Sequence, residues 1–275
     1  MQENKEGVLY IVATPIGNLE DITLRAIKIL KEVDLIAAED TRHTLKLLNH
    51  LNISKPMISY HRHNEEIRVD GLVQKLKEGE NIALVSDAGT PGICDPGEEI
   101  IKECIKQNIK IVPIPGACAM INALIVSGID TSEFIFLGFL PLNKKSRKLK
   151  LEEIKEANKT IILYEAPHKL KNTLNDLSEI LEERQIVIAR EITKIHEEYI
   201  RGTVKDLLNI GDTLKGEIII IIEKNNIEKE NNLNILSLEE HYKFYENQGL
   251  EKKEIIKKIA KDRNVNKNEI YKKFI

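Results

Sequence analysis

The sequence predicts an α/β protein built of two α/β domains, followed by a small helical unit at residues 236–275. Three observations carry this reading. Short β-branched runs alternate with longer segments of helical apolar spacing, the pattern of strands and helices layered around a mainly parallel sheet. Beyond residue 130 the strand-like runs crowd together with fewer helices between them, which predicts a mixed second sheet. The stretch 236–275 then reads as three short helices.

In chain order, "VLYIVAT" (8–14) reads as a buried strand and "DITLRAIKIL" as a helix with one apolar face. "DLIAAED" is a second strand, followed by the helical "TLKLLNHL". "NIALVSD" and "KIVPIP" continue the strands, with "GEEIIKECIKQ" as the helix between them. After "GACAMINALIVSG" the strand-like runs are "FIFLGFL", "TIILYEA", "QIVIARE", "EEYIRG" and "GEIIIIIE". The turn-rich "GIDTS" (128–132) marks a boundary, giving domains at 1–130 and 131–224. The polar, asparagine-rich "KNNIEKENNLN" (224–234) reads as a linker. The last two helices, joined by "NV", resemble a helix-turn-helix, a pattern that any two helices with a tight turn imitate.

Composition excludes several classes. Ample apolar residues, many charges and no tryptophan describe a soluble globular chain. No apolar run approaches the ~20 residues of a membrane span, and the charged start is not that of a secretory signal. Cys94, Cys104 and Cys118 are odd in number and lack paired metal-ligand spacing, so reduced thiols in the cytoplasm and no metal are expected. The net charge of −3 argues against a generally basic nucleic-acid binder. The charge is uneven, however: residues 250–275 hold nine Lys/Arg against four Asp/Glu, and "KKSRKLK" (144–150) is a second basic run. Either run can be a solvated helix face; together they keep an anionic partner in view.

Ligands of open α/β sheets bind at the carboxyl ends of strands. Three such ends carry unusual loops: "ATPIGNLEDIT", "SDAGTPGICDPG" and "PIPGACA". Each combines proline and glycine where an ordinary turn needs one cap residue; a tight turn with a helix cap is the simpler reading of each alone. None is G-x-G-x-x-G or a P-loop, there is no acidic-glycine motif after the first strand, and the chain has no H-E-x-x-H and no nucleophile elbow. The second loop offers a carboxylate, Asp87, rather than a phosphate-gripping lysine, which points to a ligand with positive or donor groups.

These loops, with "AEDTRHTLKLL", "SYHRHNE", "FLGFLP", "YEAPHKL" and "AREITKIHEEYIRG", resemble the tetrapyrrole (corrin/porphyrin) methylase superfamily and, within it, the branch that modifies ribosomal RNA. The resemblance runs from about residue 9 to residue 223, and the helical tail is also similar. It implies two α/β domains with S-adenosylmethionine in the cleft between them. It further implies 2′-O-methylation of a cytidine ribose in the decoding region of 16S rRNA, the small ribosomal subunit as partner, and a homodimer. By motif position Asp87 would accept hydrogen bonds from the donor, with Ala88, Gly89 and Thr90 alongside. Pro15 would lie beneath the donor, Cys118 and Ala119 would line the third loop, and Tyr164 would close the cleft from the second domain. Cys118 stands where relatives often place a serine.

Methyl transfer to a ribose hydroxyl needs alignment above all, a general base within reach, and a dry cleft in which the sulfonium charge fades. Candidates for the base are Glu39, Asp40 and His61, each just after a strand. Arg42, His43, Arg62 and His63 are candidates for RNA contact at the same edge, and Lys144, Lys145, Arg147 and Lys148 for tracking its phosphates. The simpler reading of "EDTR" is a capped helix start, and of the histidines, polar turn residues. His168 is expected to cap or orient the helix after it, and Glu191 and Lys194 either pair or reach the substrate. Two rivals stand beside this reading: methylation of a corrin or porphyrin ring carbon, which the basic run and tail disfavour, and a non-enzymatic RNA binder, which would need none of the three loops.

Overall fold

The computed structural model describes residues 6–181, 183–211, 213–225, 233, 236–263 and 265–274. Its first sheet comprises β1 (Leu9–Val12), β2 (Leu35–Ala38), β3 (Met57–Ser59), β4 (Ile82–Val85) and β5 (Ile111–Ile114), all parallel, in the order β3-β2-β4-β1-β5. Helices α1 (Leu24–Glu32), α2 (Thr41–His50), α3 (Glu65–Lys77) and α4 (Glu98–Lys106) supply the crossovers. Successive strand residues point to opposite faces. Leu9, Ile11, Leu35, Ala37, Ile82 and Leu84 meet Leu72 and Leu76 of α3 and Ile100 and Cys104 of α4. Val12, Ile36, Ala38, Ala83 and Val85 meet Ala26 and Leu30 of α1 and Leu48 of α2. Helices on both faces explain why these strands read as unbroken apolar runs. Burial pushes the Cys104 thiol up to about 11, so it behaves as a small core hydrophobe.

The second sheet is mixed, as the crowded strand runs predict. β6 (Phe134–Phe139) and β7 (Thr160–Glu165) are parallel, while β8 (Gln185–Arg190), β9 (Glu198–Thr203) and β10 (Ile218–Ile222) pair antiparallel, in the order β6-β7-β10-β8-β9. One face packs on Ile154 of α6 (Lys144–Glu156), on Leu170, Leu174 and Leu177 of α7 (Pro167–Ser178), and on Val204 and Leu207 of α8 (Val204–Leu207). The other face sets Ile162, Val187, Ile219 and Ile221 against Ala123 and Leu124 of α5 (Ala119–Ile125) and against Ile16. Thus α5, the helix that follows β5, covers the second sheet, and residues up to Lys224 form one compact unit.

Asn225–Ile275 is a separate unit. The linker expected at 224–234 lies, apart from Lys224, Asn225 and Leu233, outside the described residues, as does Asn264 of the expected "NV" turn. The unit's helices are α9 (Leu238–Glu246), α10 (Lys252–Asp262) and α11 (Lys267–Tyr271), packed on Tyr245, Ile255, Ile256, Ile259 and Ile270. Ser237 and Glu240 form a capping box at the start of α9. Fully buried His241 lies between Asp262, 3.2 Å from Nε2, and the Arg263 guanidinium, 3.2 Å from Nδ1. Arginine can only donate, so Nδ1 accepts and Nε2 carries the proton; burial pushes the His241 pKa down and favours this neutral form. Among the described residues no helix is long and apolar enough to cross a membrane.

Candidate active site

The three proline–glycine loops are stitched together at the carboxyl end of the first sheet. Thr14 and Gly89 exchange backbone hydrogen bonds of 2.8 and 3.1 Å, joining the loop after β1 to the loop after β4. The Thr90 hydroxyl donates to the Ala117 carbonyl at 3.1 Å, joining that loop to the one after β5. Gly89 holds φ +79°, a conformation that favours glycine, and a Cβ there would lie 3.3 Å from the Ile16 side chain. A Cβ on Gly116 would come within 2.9 Å of the Ala13 Cβ. Close approach of loop to loop is what these glycines permit.

The stitched loops form one wall of a cavity of about 480 Å³ between the two sheets, within the roughly 300–1,000 Å³ of ordinary ligand pockets. This wall presents Asp87, Ala88, Gly89, Thr90, Cys118 and Ala119. The second sheet supplies Phe139, Tyr164, Glu165, Ala166, Pro167 and the segment 216–219. The Tyr164 ring makes edge-to-face contacts with Phe136 and Phe139 at 4.9 and 5.7 Å, and burial raises its pKa, keeping the phenol protonated.

On the first-sheet side, the electrostatics are set by Glu39, Asp87 and Asp95; Glu165 and Glu217 line the cavity from the second sheet. Asp87 Oδ1 accepts the Asp40 backbone N–H at 3.1 Å, and the Asp87 N–H donates to Glu39 Oε2 at 3.3 Å, so the ends of β2 and β4 hold each other. Burial lifts the Glu39 pKa above the ordinary carboxylate value; the Asp87 N–H opposes the rise, the Asp95 and Asp87 charges add to it, and Arg62 offsets it. Burial likewise raises Asp95, against the pull of the Ser86 hydroxyl and Arg62. The Arg62 guanidinium donates to the Cys94 carbonyl, which sets the cation beside this acidic wall.

Several of the residues singled out in the sequence thus meet in one place: Glu39, Asp87, Ala88, Gly89, Thr90, Cys118, Ala119 and Tyr164. Pro15 and His43 instead line a smaller pocket of about 40 Å³ that shares Asp87 with the main cavity. Asp40 is the N-cap of α2, accepting from the Arg42 N–H at 2.8 Å and pairing with its guanidinium at 2.7 Å. That pairing holds the Asp40 carboxyl well below the usual range. His61 lies in the loop after β3 with its Nδ1 buried and, among the described residues, without a hydrogen-bond partner; exposed His63 stacks edge-on at 6.0 Å. Neither histidine lines the cavity.

Lys144, Lys145 and Lys148 are exposed on the first turns of α6, which begins five residues after Phe139. Arg147 turns inward to Asp176 and Thr173. Lys194 pairs with Glu191 at 2.9 Å and Glu217 at 3.1 Å, the structural alternative for that pair. The helix after β7 has Pro167 in its first turn and no side-chain cap, so the expected capping role of His168 is corrected: the residue is exposed in that turn. Sequence reasoning missed Asp95, Phe139 and Glu165 as cavity residues. Asp95 sits inside "ICDPG" and Glu165 beside Tyr164, so proximity in sequence was the available signal.

Comparison with known proteins bears on this arrangement. The family model for Tetrapyrrole (Corrin/Porphyrin) Methylases matches residues 8–208. The chain is 50% identical over 275 residues to the ribosomal RNA small subunit methyltransferase I of Halalkalibacterium halodurans, covering 98% of this chain and 95% of that one. It is 47% identical over 218 residues to the protein of the same name from Thermotoga maritima, covering 78% of this chain and 98% of that one. Among solved structures, the uroporphyrin-III-C-methyltransferase of Thermus thermophilus superposes with a TM-score of 0.57 at 20% identity, over 79% of this chain and 94% of that one, a likeness of fold.

Proposed function

The chain belongs to the tetrapyrrole (corrin/porphyrin) methylases, and from that premise we propose that it is an S-adenosylmethionine-dependent 2′-O-methyltransferase acting on a cytidine ribose of 16S rRNA in the small ribosomal subunit. The observation that supports this most is the cavity itself. Its first-sheet wall offers carboxylates and bare backbone, with no lysine among the lining residues to grip a phosphate. Such a wall suits a ligand with a sulfonium, an amino group and sugar hydroxyls. The names of the two relatives above, both of the ribosomal type at about half identity, favour RNA over a macrocycle as the acceptor.

S-adenosylmethionine supplies an electrophilic methyl group and a thioether leaving group. Asp87 would accept from the donor's N–H or O–H groups, while Ala88, Gly89 and Thr90 approach it with backbone atoms. Cys118, Ala119 and Tyr164 would complete its enclosure, and Pro15 would brace the loop from behind Asp87. Glu39 is the proposed general base. It faces the cavity, and burial raises its pKa, making its carboxylate a stronger proton acceptor than an exposed one. With the donor bound, the methyl carbon would pass from sulfur to the ribose 2′-oxygen, and the Glu39 carboxylate would take the hydroxyl proton. Asp40, which caps α2, and His61, which does not line the cavity, are the less favoured candidates for the base.

Arg42, His43, Arg62 and His63 on the first sheet's edge, with Lys144, Lys145 and Lys148 on α6, would meet the RNA backbone as it crosses the cavity mouth. A homodimer, as the resemblance implies, is part of the same reading. The test uses labelled S-adenosylmethionine and small subunits that lack their own modification. Label on a cytidine ribose is the expected result; transfer to a corrin or porphyrin and none to the subunits would contradict it.

A further inference from the structure

Arg147 stands apart from the basic run that contains it. Its side chain is only 18% exposed, while Lys144, Lys145 and Lys148 are exposed. Nε donates to Asp176 at 2.6 Å and Nη2 to the Thr173 hydroxyl at 2.8 Å, so the guanidinium forks across one turn of α7. Thr173 is fully buried and its hydroxyl has a single proton. Because arginine can only donate, the hydroxyl accepts from Arg147 and spends its own proton on Glu165 Oε2. The other carboxylate oxygen, Oε1, accepts the Ala166 N–H at 2.8 Å. Glu165 is 5% exposed, and it lines the cavity beside Tyr164, Ala166 and Pro167.

We propose that Arg147 is a positioning residue of the donor cavity, acting through Thr173 on Glu165, and not an RNA contact. The direction of the chain is fixed from the arginine inward. A carboxylate has about four acceptor positions, and the chain uses one on each oxygen, so the pinned Glu165 keeps acceptor capacity for an amine or hydroxyl of the bound donor. Losing the guanidinium frees the Thr173 hydroxyl to rotate, and the carboxylate loses its fixed orientation. A second consequence concerns α6: the helix that carries the exposed lysines is tied through Arg147 to the cavity wall.

The inference rests on the proposed donor, and the test separates the two. Binding of S-adenosylmethionine is titrated calorimetrically on the full chain and on Arg147→Ala, Thr173→Val and the double variant. Binding of small ribosomal subunits is measured in parallel across salt concentrations. Each single variant is expected to weaken donor binding roughly tenfold, with the double no worse than the weaker single, since both break one chain. The salt slope of RNA binding should stay at the wild-type value in Arg147→Ala and fall in Lys144→Ala/Lys148→Ala. If Arg147→Ala unfolds, Arg147→Lys decides: lysine can keep the pair with Asp176 but lacks the fork to Thr173, so weakened donor binding is again expected. Wild-type donor affinity in the arginine variants, with a salt slope reduced by about one, would overturn the inference alone. No donor binding by the wild-type chain would overturn the donor reading and the inference with it.

Discussion

The two sheets of the first unit meet at one cavity but contribute to it differently. The parallel sheet offers backbone: three loops at strand ends, fastened by the Thr14–Gly89 and Thr90–Ala117 hydrogen bonds and presenting peptide groups and carboxylates. The mixed sheet offers side chains: Phe139, Tyr164 and Glu165 at the ends of parallel neighbours β6 and β7. Most of the polar recognition thus belongs to a frame in which proline fixes the path and glycine allows close approach, and the apolar enclosure to rings that rest on each other, with Glu165 as the second sheet's polar contribution. Substitutions on the first side should remove binding or chemistry outright, and those on the second should grade it.

The largest expected effect is on the first side. Glu39→Gln should lower kcat by about 10²–10⁴-fold with donor binding retained, read by single-turnover methylation. Because burial raises the Glu39 pKa, the acid limb of the wild-type rate profile should lie above the ordinary carboxylate value of 4.5. The sign for stability is opposite. A carboxyl whose folded-state pKa exceeds its unfolded value loses stability as pH rises between the two, so Glu39→Gln and Asp95→Asn should raise the Tm at neutral pH and leave it unchanged in acid.

Next in size, Asp87→Asn should weaken S-adenosylmethionine binding by about 1.5–3 kcal/mol, the worth of a hydrogen bond to a charged group, measured by calorimetry. Tyr164→Phe, on the opposite wall, should cost much less, since ring packing with Phe136 and Phe139 survives; an equal loss would erase the contrast between the sheets.

Removing residues 232–275 should leave donor binding intact and weaken RNA binding. The Thermotoga maritima relative, 98% of which is spanned by 218 aligned residues, is itself about as long as the first unit alone. The smallest effect is expected at Cys118, the N-cap of α5, which makes no side-chain cap hydrogen bond. Cys118→Ser should stabilise the fold by about 0.5–1 kcal/mol, visible in the Tm.

The same contrast explains what could be read from the sequence. Strands buried on both faces announce themselves as apolar runs, and loops that must approach closely announce themselves by glycine and proline, so the first wall was legible in "SDAGTPG" and "PIPGACA". β3 is three residues long, too short for any periodicity to show. Phe139 was not legible as a site residue because a ring at a strand end looks the same facing a cavity or a core, and Glu165 was marked only by its place beside Tyr164. The run "KKSRKLK" was legible only in part for a related reason. Charge is visible in sequence, but that Arg147 alone turns toward Thr173 and Asp176 depends on how α6 lies on α7.

The most direct test of shared enclosure by both sheets is hydrogen exchange of the full chain with and without S-adenosylmethionine, resolved by mass spectrometry. Donor binding should slow exchange in residues 86–95 and 117–120 of the first sheet's loops and, together with them, in 164–167 and 216–219 of the second. Slowing confined to one sheet, or centred away from all four segments, would contradict it.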